Sequence, residues 1–228
     1  MAGLLRHRAA HGREDDLHFD VWSLTYDRSP TQVLLFGPVQ GALLTALAGR
    51  LGSGRLLDIG AGTGRLLERL GQGRPGLALF GLDRSAGMLR AARRARPHLN
   101  LIRGAAEALP FPDESFDVVT TTLSFHHWSD QREALREVRR ILRPGGTFAL
   151  ADVSIDDLPG WGPFRAVARR TLAHGLALEE RHRLLDGAGL QVVQEGGAFH
   201  RHWIPLTVAE RPAVRAKSHQ RQANAQTS

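Results

Sequence analysis

An acidic, glycine-rich stretch at residues 58–64 carries the clearest chemical signal in this chain, and it reads Asp-Ile-Gly-Ala-Gly-Thr-Gly. Glycine has no Cβ and tolerates positive φ, so a ligand can lie close against such a backbone. A helix that starts behind the turn would add N–H groups and a positive dipole end. The stretch is therefore a candidate ligand-binding loop.

A second carboxylate, Asp83, ends the apolar run at residues 77–82. A carboxylate at the tip of a strand offers two acceptor oxygens, which suits both hydroxyls of a ribose. The pattern indicates a nucleoside ligand but does not distinguish one nucleoside from another. Capping of the next helix is the alternative role, although Ser85 could supply that cap itself.

Two adjacent histidines, His126 and His127, follow the β-branched run at residues 116–122. Imidazole titrates near neutrality, so either ring could accept a proton from a hydroxyl, an amine or an acidic carbon. A structural or substrate-shaping role is the alternative. Asp152, at the end of another apolar run, is a second candidate base, with capping as its alternative. Two histidines without further ligand-spaced partners make a poor metal site, so no metal is expected.

Apolar runs separated by helical segments must position these residues. Buried strands are predicted at residues 56–59, 77–83, 99–103, 116–122 and 147–152, with a closing strand pair at 190–195 and 199–204. Alternating strands and helices predict a three-layer α/β fold with a mostly parallel sheet. In such sheets ligands bind beyond the carboxyl ends of the strands, where the acids and the histidines stand.

Residues 1–50 are predicted to form a helical segment that lies over the domain. Aromatic residues at positions 19, 22 and 26 have helical spacing, and Tyr26 is the one tyrosine of the chain. This part either staples onto the core or covers the active site as a lid. A second helix is expected from Ser29 to about Gly49, with apolar residues that include Val33 and Leu34 packed on the core.

The motifs together resemble those of class I S-adenosylmethionine-dependent methyltransferases, of the small-molecule type that acts in ubiquinone and menaquinone biosynthesis. The glycine stretch resembles the first motif of the family, and residues 83–89 resemble its Asp-x-Ser-x-x-Met-Leu. The most specific passage is residues 104–117, which resemble Gly-Asp-Ala-Glu-x-Leu-Pro-Phe-x-Asp-x-Ser-Phe-Asp. A dinucleotide fingerprint fits less well, because Arg65 stands where it needs a small residue.

The resemblance implies a Rossmann-like αβα sandwich whose seven-stranded, mostly parallel sheet has the order 3-2-1-4-5-7-6 and an antiparallel last strand. It implies S-adenosylmethionine as the cofactor and methyl transfer to the oxygen, nitrogen or carbon of a small-molecule acceptor. Trp22, Tyr26, Trp128 and the two histidines would border the acceptor, with His126 and His127 as the catalytic candidates. The cofactor would contact Tyr26, Asp58, Gly60, Ala61, Gly62, Asp83, Arg84, Met88, Ala106, Glu107 and Thr122.

One position departs from the family pattern, because Ala105 stands where an acid usually accepts from the adenine amino group. The contact would then fall to the backbone or to Glu107. One neutral hydrogen bond is worth about 0.5–1.5 kcal/mol, a loss that a site with other contacts survives. The departure leaves open a protein that binds the cofactor, or a partner, through this fold without catalysis.

Composition sets the wider limits. The 228 residues suit one moderate domain, and 42% hydrophobic with 23% charged residues indicate a globular chain. A net charge of +7 permits nucleic-acid contact, so a nucleic-acid methyltransferase is the enzymatic alternative. The absence of cysteine and of a long apolar run favours a cytoplasmic protein without a membrane span. The expected divisions are 51–210 for the cofactor domain, 153–177 for a substrate-pocket insert and 211–228 for a basic, disordered tail.

Overall fold

The computed structural model describes Asp20, Ser23 and residues 26–154, 176–199 and 204–213. Within these ranges the strands are β1 (Gly54–Ile59), β2 (Leu77–Asp83), β3 (Asn100–Arg103), β4 (Phe116–Thr122), β5 (Leu142–Ala151), β6 (Gln191–Phe199) and β7 (Ile204–Glu210). They form one seven-stranded sheet in the order β3-β2-β1-β4-β5-β7-β6.

Parallel pairing joins β3, β2, β1, β4 and β5, whereas β7 runs antiparallel to both β5 and β6. The strand order reverses between β1 and β4, and this switch point is where open α/β sheets bind ligands. The predicted fold class and strand order are therefore confirmed.

The helices of the described ranges are α1 (Gly37–Ala46), α2 (Arg65–Gly71), α3 (Ala86–Ala95), α4 (Gln131–Ile141) and α5 (Leu178–Gly187). Short 3-10 turns span Tyr26–Arg28, Ala48–Arg50 and Phe125–His127, and a π-helical segment spans Gln32–Phe36. In this part of the chain none of the helices has the length and apolar character that crossing a membrane requires.

The core lies on both faces of the sheet. Successive residues of a strand point to opposite faces, so Leu56 and Val118 join one core cluster while Leu57 and Val119 join the other. Helices α1 and α2 pack in the first cluster, and α4 and α5 pack in the second. Because both faces are covered, the central strands are almost continuously apolar, which is why their positions were readable in the sequence.

The helix predicted from Ser29 starts differently from the expectation. Val33 and Leu34 are 73% and 67% exposed, so the prediction that they pack on the core is wrong. The chain is π-helical from Gln32 to Phe36, and i→i+5 bonding turns side chains away from the 3.6-residue face. The buried position of this turn is Gln32 instead, which is 3% exposed.

The closing hairpin also differs from the sequence prediction. Its last strand was expected at residues 199–204 but spans Ile204–Glu210, of which residues 204–209 are buried. The expected run carries two histidines and an arginine, whereas the true strand is nearly continuous in apolar residues, as a strand covered on both faces must be. Strand β5 begins at Leu142, earlier than the expected residue 147.

The folded domain extends past the residue at which the tail is predicted to begin. Arg211 was assigned to the tail, yet its backbone N donates to the carbonyl of Gly146 at 2.9 Å and its guanidinium donates to the carbonyl of Leu142 at 2.6 Å. Arg211 therefore belongs to the folded domain, while the tail from residue 214 lies outside the described residues. Residues 155–175 of the insert also lie outside them, but its two ends meet in a bridge between Ser154 and Leu176.

The exposed face of the first helical turn gives a stability prediction. Leu43→Ala removes a fully buried side chain of α1, and we expect it to lower the free energy of unfolding by about 2–5 kcal/mol. Leu34→Ala makes the same chemical change at an exposed site, so its effect should stay within about 0.5 kcal/mol. Urea unfolding of both variants measures the difference. Equal losses would contradict the placement of this face.

Candidate active site

The glycine turn joins β1 to α2 at the switch point of the sheet. Its backbone has positive φ values of 74° at Gly60 and 55° at Gly62. A Cβ at Gly60 would overlap the Ser124 side chain, so close packing requires glycine there. A Cβ at Gly62 would meet nothing within 4 Å, so this glycine borders open space in which a ligand can approach the backbone.

Asp83 ties the glycine turn to the end of β2. Its Oδ2 accepts a hydrogen bond from the backbone N of Gly62 at 2.7 Å, and its Oδ1 accepts from the backbone N of Ser85 at 2.8 Å. Ser85 caps α3 itself, because its Oγ accepts from the backbone N of Met88 at 3.0 Å. Each oxygen of Asp83 can accept a further bond, so its role toward a ribose stays a prediction.

Asp58 is a buried carboxyl near the end of β1, with 2% of its surface exposed. The Oγ1 of Thr120 on β4 donates to its Oδ1 at 2.9 Å. Burial raises the pKa of Asp58 to about 7, and the nearby charge of Asp83 adds to the rise. Asp58 therefore exchanges its proton near neutral pH, and a cationic ligand group beside it would favour its ionised form.

A small cleft opens between the glycine turn and the N-terminal segment. The predicted cofactor residues that line it are Tyr26, Asp58, Gly60, Ala61, Gly62 and Thr122. The sequence reasoning missed the rest of the lining, which is Gln32, Phe36, Gln40, Thr63, Arg65 and Leu66. The two glutamines had a readable signal, because they are polar positions in an otherwise apolar helical segment.

Tyr26 contributes to one wall of this cleft. Its ring packs edge-on against Phe36, with the ring centroids 5.5 Å apart. Burial raises the pKa of the Tyr26 phenol to about 12, so the hydroxyl keeps its proton at neutral pH. The segment thus packs on the domain and lines the cleft at once, which combines the two roles considered for it. Trp22, the other aromatic residue proposed to border the site, lies outside the described residues.

Asp27 fastens the segment to the glycine turn. Thr63 donates from Oγ1 to Oδ1 of Asp27 at 2.6 Å, and Arg96 donates from Nη1 to its Oδ2 at 3.0 Å. Arg96 is only 7% exposed and also donates to Glu68 at 2.8 Å. Because a buried guanidinium needs its partners, this network fixes the place of Asp27 and hence of Tyr26.

Asp20 makes a second attachment on the other side of the site. Its Oδ1 accepts from Oγ of Ser85 at 2.6 Å and from the backbone N of Gly87 at 2.7 Å. These bonds keep the pKa of Asp20 below its ordinary value. The N-terminal segment therefore contacts the loops that follow both β1 and β2.

The two histidines lie in the 3-10 turn beyond the end of β4. The Nδ1 of His126 lies 2.6 Å from Oδ1 of Asp152, and the backbone N of His126 donates to Oδ2 at 2.9 Å. Both residues are buried, at 8% and 0% exposure. The ring of His127 lies 4.0 Å from that of His126, measured between centroids. The structure thus joins two separately proposed bases, His126 and Asp152, into one pair.

In this pair, neighbouring charges keep the carboxyl of Asp152 ionised. Burial by itself would raise the pKa of Asp152, but the His126 ring and the Arg181 guanidinium hold it below its ordinary value. An ionised Asp152 accepts the proton on Nδ1 of His126, so a neutral ring carries its lone pair on Nε2. Among the described residues no three ligand-type side chains converge as a metal site.

The histidine turn also contacts the glycine turn. Ser124 packs against Gly60, and its Oγ accepts from Nε1 of Trp128 at 3.4 Å. Leu123, directly before it, has a φ of 50°, which is a strained value for a residue with a branched side chain. Such strain persists only where neighbouring contacts impose it, and it clusters at functional sites.

The remaining predicted cofactor residues are not part of the cleft lining. Met88 and Ala106 are each 3% exposed. Glu107 accepts from the backbone N of Ser129 at 2.6 Å, and Arg84 donates to Oγ of Ser129 at 2.9 Å. These contacts position the loop before α4, so the roles of these residues toward a cofactor stay predictions.

Comparison with known proteins supports the motif resemblance at the level of sequence. The Methyltransferase domain family matches residues 57–150. The chain is 38% identical over 134 residues to a demethylmenaquinone methyltransferase of Renibacterium salmoninarum, which covers 59% of this chain and 54% of that protein. It is 37% identical over 155 residues to a demethylmenaquinone methyltransferase of Beutenbergia cavernae, covering 68% and 58%. The chain thus spans little more than half the length of these relatives.

Solved structures extend the similarity in fold. A SAM-dependent methyltransferase from Aquifex aeolicus superposes with a TM-score of 0.64 at 19% identity, covering 84% of this chain and 97% of that one. An S-adenosylmethionine-dependent methyltransferase from Mesorhizobium loti gives a TM-score of 0.63 at 22% identity, covering 76% and 100%. Residues 57–150 thus match a methyltransferase domain family, and the strand order of the sheet gives the chain the fold of these solved S-adenosylmethionine-dependent methyltransferases.

Proposed function

We propose that the protein transfers a methyl group from S-adenosylmethionine to a small-molecule acceptor, and that this acceptor is the ring of a demethylated quinol of the menaquinone type. The similarity to demethylmenaquinone methyltransferases, at 38% identity over 134 residues, carries the proposal. A nucleic-acid acceptor is favoured only by the net charge of +7. The predicted cytoplasmic location is part of this proposal.

The residues at the switch point fit the cofactor. The Gln32 side chain is buried in the cleft with neither amide atom hydrogen-bonded, and a Cβ at Gly62 would meet open space. Asp58 and the glycine turn would hold the amino-acid end, Asp83 the ribose, and Met88 with Ala106 the adenine. When bound, the cofactor supplies a methyl group that its positive sulfur already activates. The protein then has to orient the two partners and exclude water.

The His126–Asp152 pair is the proton acceptor in this proposal. Asp152 fixes Nδ1 of His126, so Nε2 can take the hydroxyl proton of a quinol. Losing that proton makes the ring carbons of a quinol more nucleophilic, which suits methylation at carbon. The carbon takes the methyl group as the sulfur–methyl bond breaks, and the hydrogen on that carbon then leaves as a proton, which restores the aromatic ring. His127, whose ring lies beside that of His126, shapes the acceptor side in this arrangement.

Methyl transfer to a defined acceptor tests the function. The purified protein, S-adenosylmethionine with a labelled methyl group and a short-chain demethylmenaquinol should yield the ring-methylated product by mass spectrometry, with one S-adenosylhomocysteine for each methyl. Menaquinol, which already carries the methyl group, is the matched control and should gain no label. S-adenosylhomocysteine binding without transfer would exclude this acceptor. Absence of binding by either cofactor form would exclude the methyltransferase function altogether.

Removing the proposed base gives a second prediction. His126→Asn should lower kcat about 10²–10⁴-fold while S-adenosylhomocysteine binds within about twofold of wild type. Asp152→Asn should lower kcat less and move the acid limb of the pH–rate profile to lower pH, because the ring loses the carboxylate that favours its protonated form. His182→Asn removes a partly exposed histidine of α5 that pairs with Glu195 of β6, and it should change neither value.

An unchanged kcat in His126→Asn would overturn the base assignment. An Asp152→Asn enzyme with a lowered kcat but an unmoved pH profile would assign Asp152 a purely structural role.

The raised pKa of Asp58 predicts a pH dependence of stability. The folded protein holds this proton up to about pH 7, whereas the unfolded chain releases it near the ordinary aspartate pKa of 3.8. The contribution of Asp58 is thus fully present below about pH 4 and is lost as the pH rises through about 7. Relative to Asp58→Asn, wild type should lose about 1 kcal/mol per pH unit between about pH 5 and 7. Urea unfolding at several pH values measures this loss.

The affinity for S-adenosylmethionine should depend on the ionisation of Asp58 with the opposite pH trend. A cationic amino-acid end favours the ionised carboxylate, so S-adenosylmethionine should bind more tightly as the pH rises from about 6 to 8. The Asp58→Asn variant should lack this rise. In the stability experiment, free energies of unfolding that change in parallel with pH for wild type and Asp58→Asn would contradict the raised pKa of Asp58.

A further inference from the structure

Gln32 is a buried amide without hydrogen-bond partners. It is 3% exposed, and neither its Nε2 nor its Oε1 has a partner among the described residues. The Gln32 amide lies close enough to the Tyr26 hydroxyl to lower the pKa of that phenol, but the two groups do not meet hydrogen-bond geometry. An unsatisfied buried amide costs about 1–3 kcal/mol. A fold that keeps such a group needs a reason for it.

The local backbone is wound so that this amide points into the protein. Gln32 opens the π-helical segment, in which the apolar neighbours Val33 and Leu34 are 73% and 67% exposed. The usual arrangement is therefore inverted, with the polar residue inside and the apolar residues outside. π-Helical turns occur often at functional sites, and a position that breaks the local rules in this way is expected to be functional.

Gln40, the other glutamine of the cleft, has a side-chain amide that is hydrogen-bonded within the fold. Gln40 is 7% exposed, and its Oε1 accepts from the Arg69 guanidinium at 3.2 Å. Arg69 also donates to the carbonyl of Gly37 at 2.9 Å, which anchors α1 on α2. Gln40 thus has a partner in the fold, and Gln32 does not.

The charges around Gln32 indicate what it binds. The cleft that it lines is also lined by Asp58, an acid, and by Arg65, a base. An acid and a base in one small cleft complement a zwitterion, namely an ammonium and a carboxylate on one carbon. A neutral amide suits both groups, since its Oε1 accepts from an ammonium and its Nε2 donates to a carboxylate.

We propose that Gln32 recognises the amino-acid end of the cofactor and makes this protein discriminate S-adenosylmethionine and S-adenosylhomocysteine from nucleosides that lack that end. The inference rests on the proposed function for the identity of the cofactor. It assigns the N-terminal segment a direct role in cofactor selection, in addition to covering the cleft.

The experiment measures the affinity of the Gln32→Met variant for two ligands and the stability of the ligand-free protein. Gln32→Met removes the amide with little change of volume. Calorimetry with S-adenosylhomocysteine should show an affinity about tenfold to hundredfold lower, as expected for a lost hydrogen bond to a charged group. Binding of 5′-methylthioadenosine, which has no amino-acid end, should stay within about twofold of wild type.

Stability of the ligand-free protein supplies the second readout. Gln32→Met should unfold at the same or a higher urea concentration than wild type, because the unsatisfied amide is gone. Gln40→Met loses the bond to Arg69 and should unfold at a lower concentration. Gln194→Met, an exposed position on β6, should leave both affinities unchanged.

Three results would overturn the inference. These are wild-type affinity of Gln32→Met for S-adenosylhomocysteine, an equal loss for both ligands, and a lowered stability that marks the amide as structural. These binding and unfolding experiments contain no methyl acceptor, so their outcome does not depend on whether the quinol assay succeeds. If wild type itself bound no S-adenosylhomocysteine, the proposed function would fail together with the inference.

Discussion

The hydrogen bond from the backbone N of Gly62 to Asp83, at 2.7 Å, joins the two loops on which the site is built. The glycine turn follows β1 and Asp83 ends β2, so a single carboxylate sets the position of one loop against the other. The sheet makes this possible, because β1 and β2 are parallel neighbours with Ile59 opposite Leu82. Parallel strands that end level bring their following residues together, and the acid at the second tip can then bind the turn at the first.

The N-terminal segment depends on the same two loops. Asp27 is bound to Thr63 of the glycine turn, and Asp20 is bound to Ser85 and Gly87 just after Asp83. The segment is therefore held against both loops by hydrogen bonds to its carboxylates, which are stronger and more directional than apolar contacts. The side chains that this fastening brings into the cleft include Tyr26 and Gln32.

The sequence predicted what local patterns control. Apolar runs that end at glycine or at an acid placed β1, β2 and β4 because buried parallel strands are continuous in apolar residues. It could not predict the burial of Gln32, since the π-helical turn depends on how the segment packs and not on its spacing. It also left His126 and Asp152 as separate candidates. Their pairing follows from the register between β4 and β5, where Thr122 lies opposite Ala151, and register is a tertiary property.

The bridge between Ser154 and Leu176 brings together two points that are far apart in the sequence. The buried Arg181 holds the chain just before this bridge, because its guanidinium donates to the carbonyls of Asp152 and Val153 at 3.1 Å each. Because the chain leaves and rejoins the domain at one place, a loop of different length or composition can be exchanged there at small entropic cost. A change in the length or composition of the sequence between Ser154 and Leu176 can therefore be accommodated without rebuilding the sheet or the glycine turn.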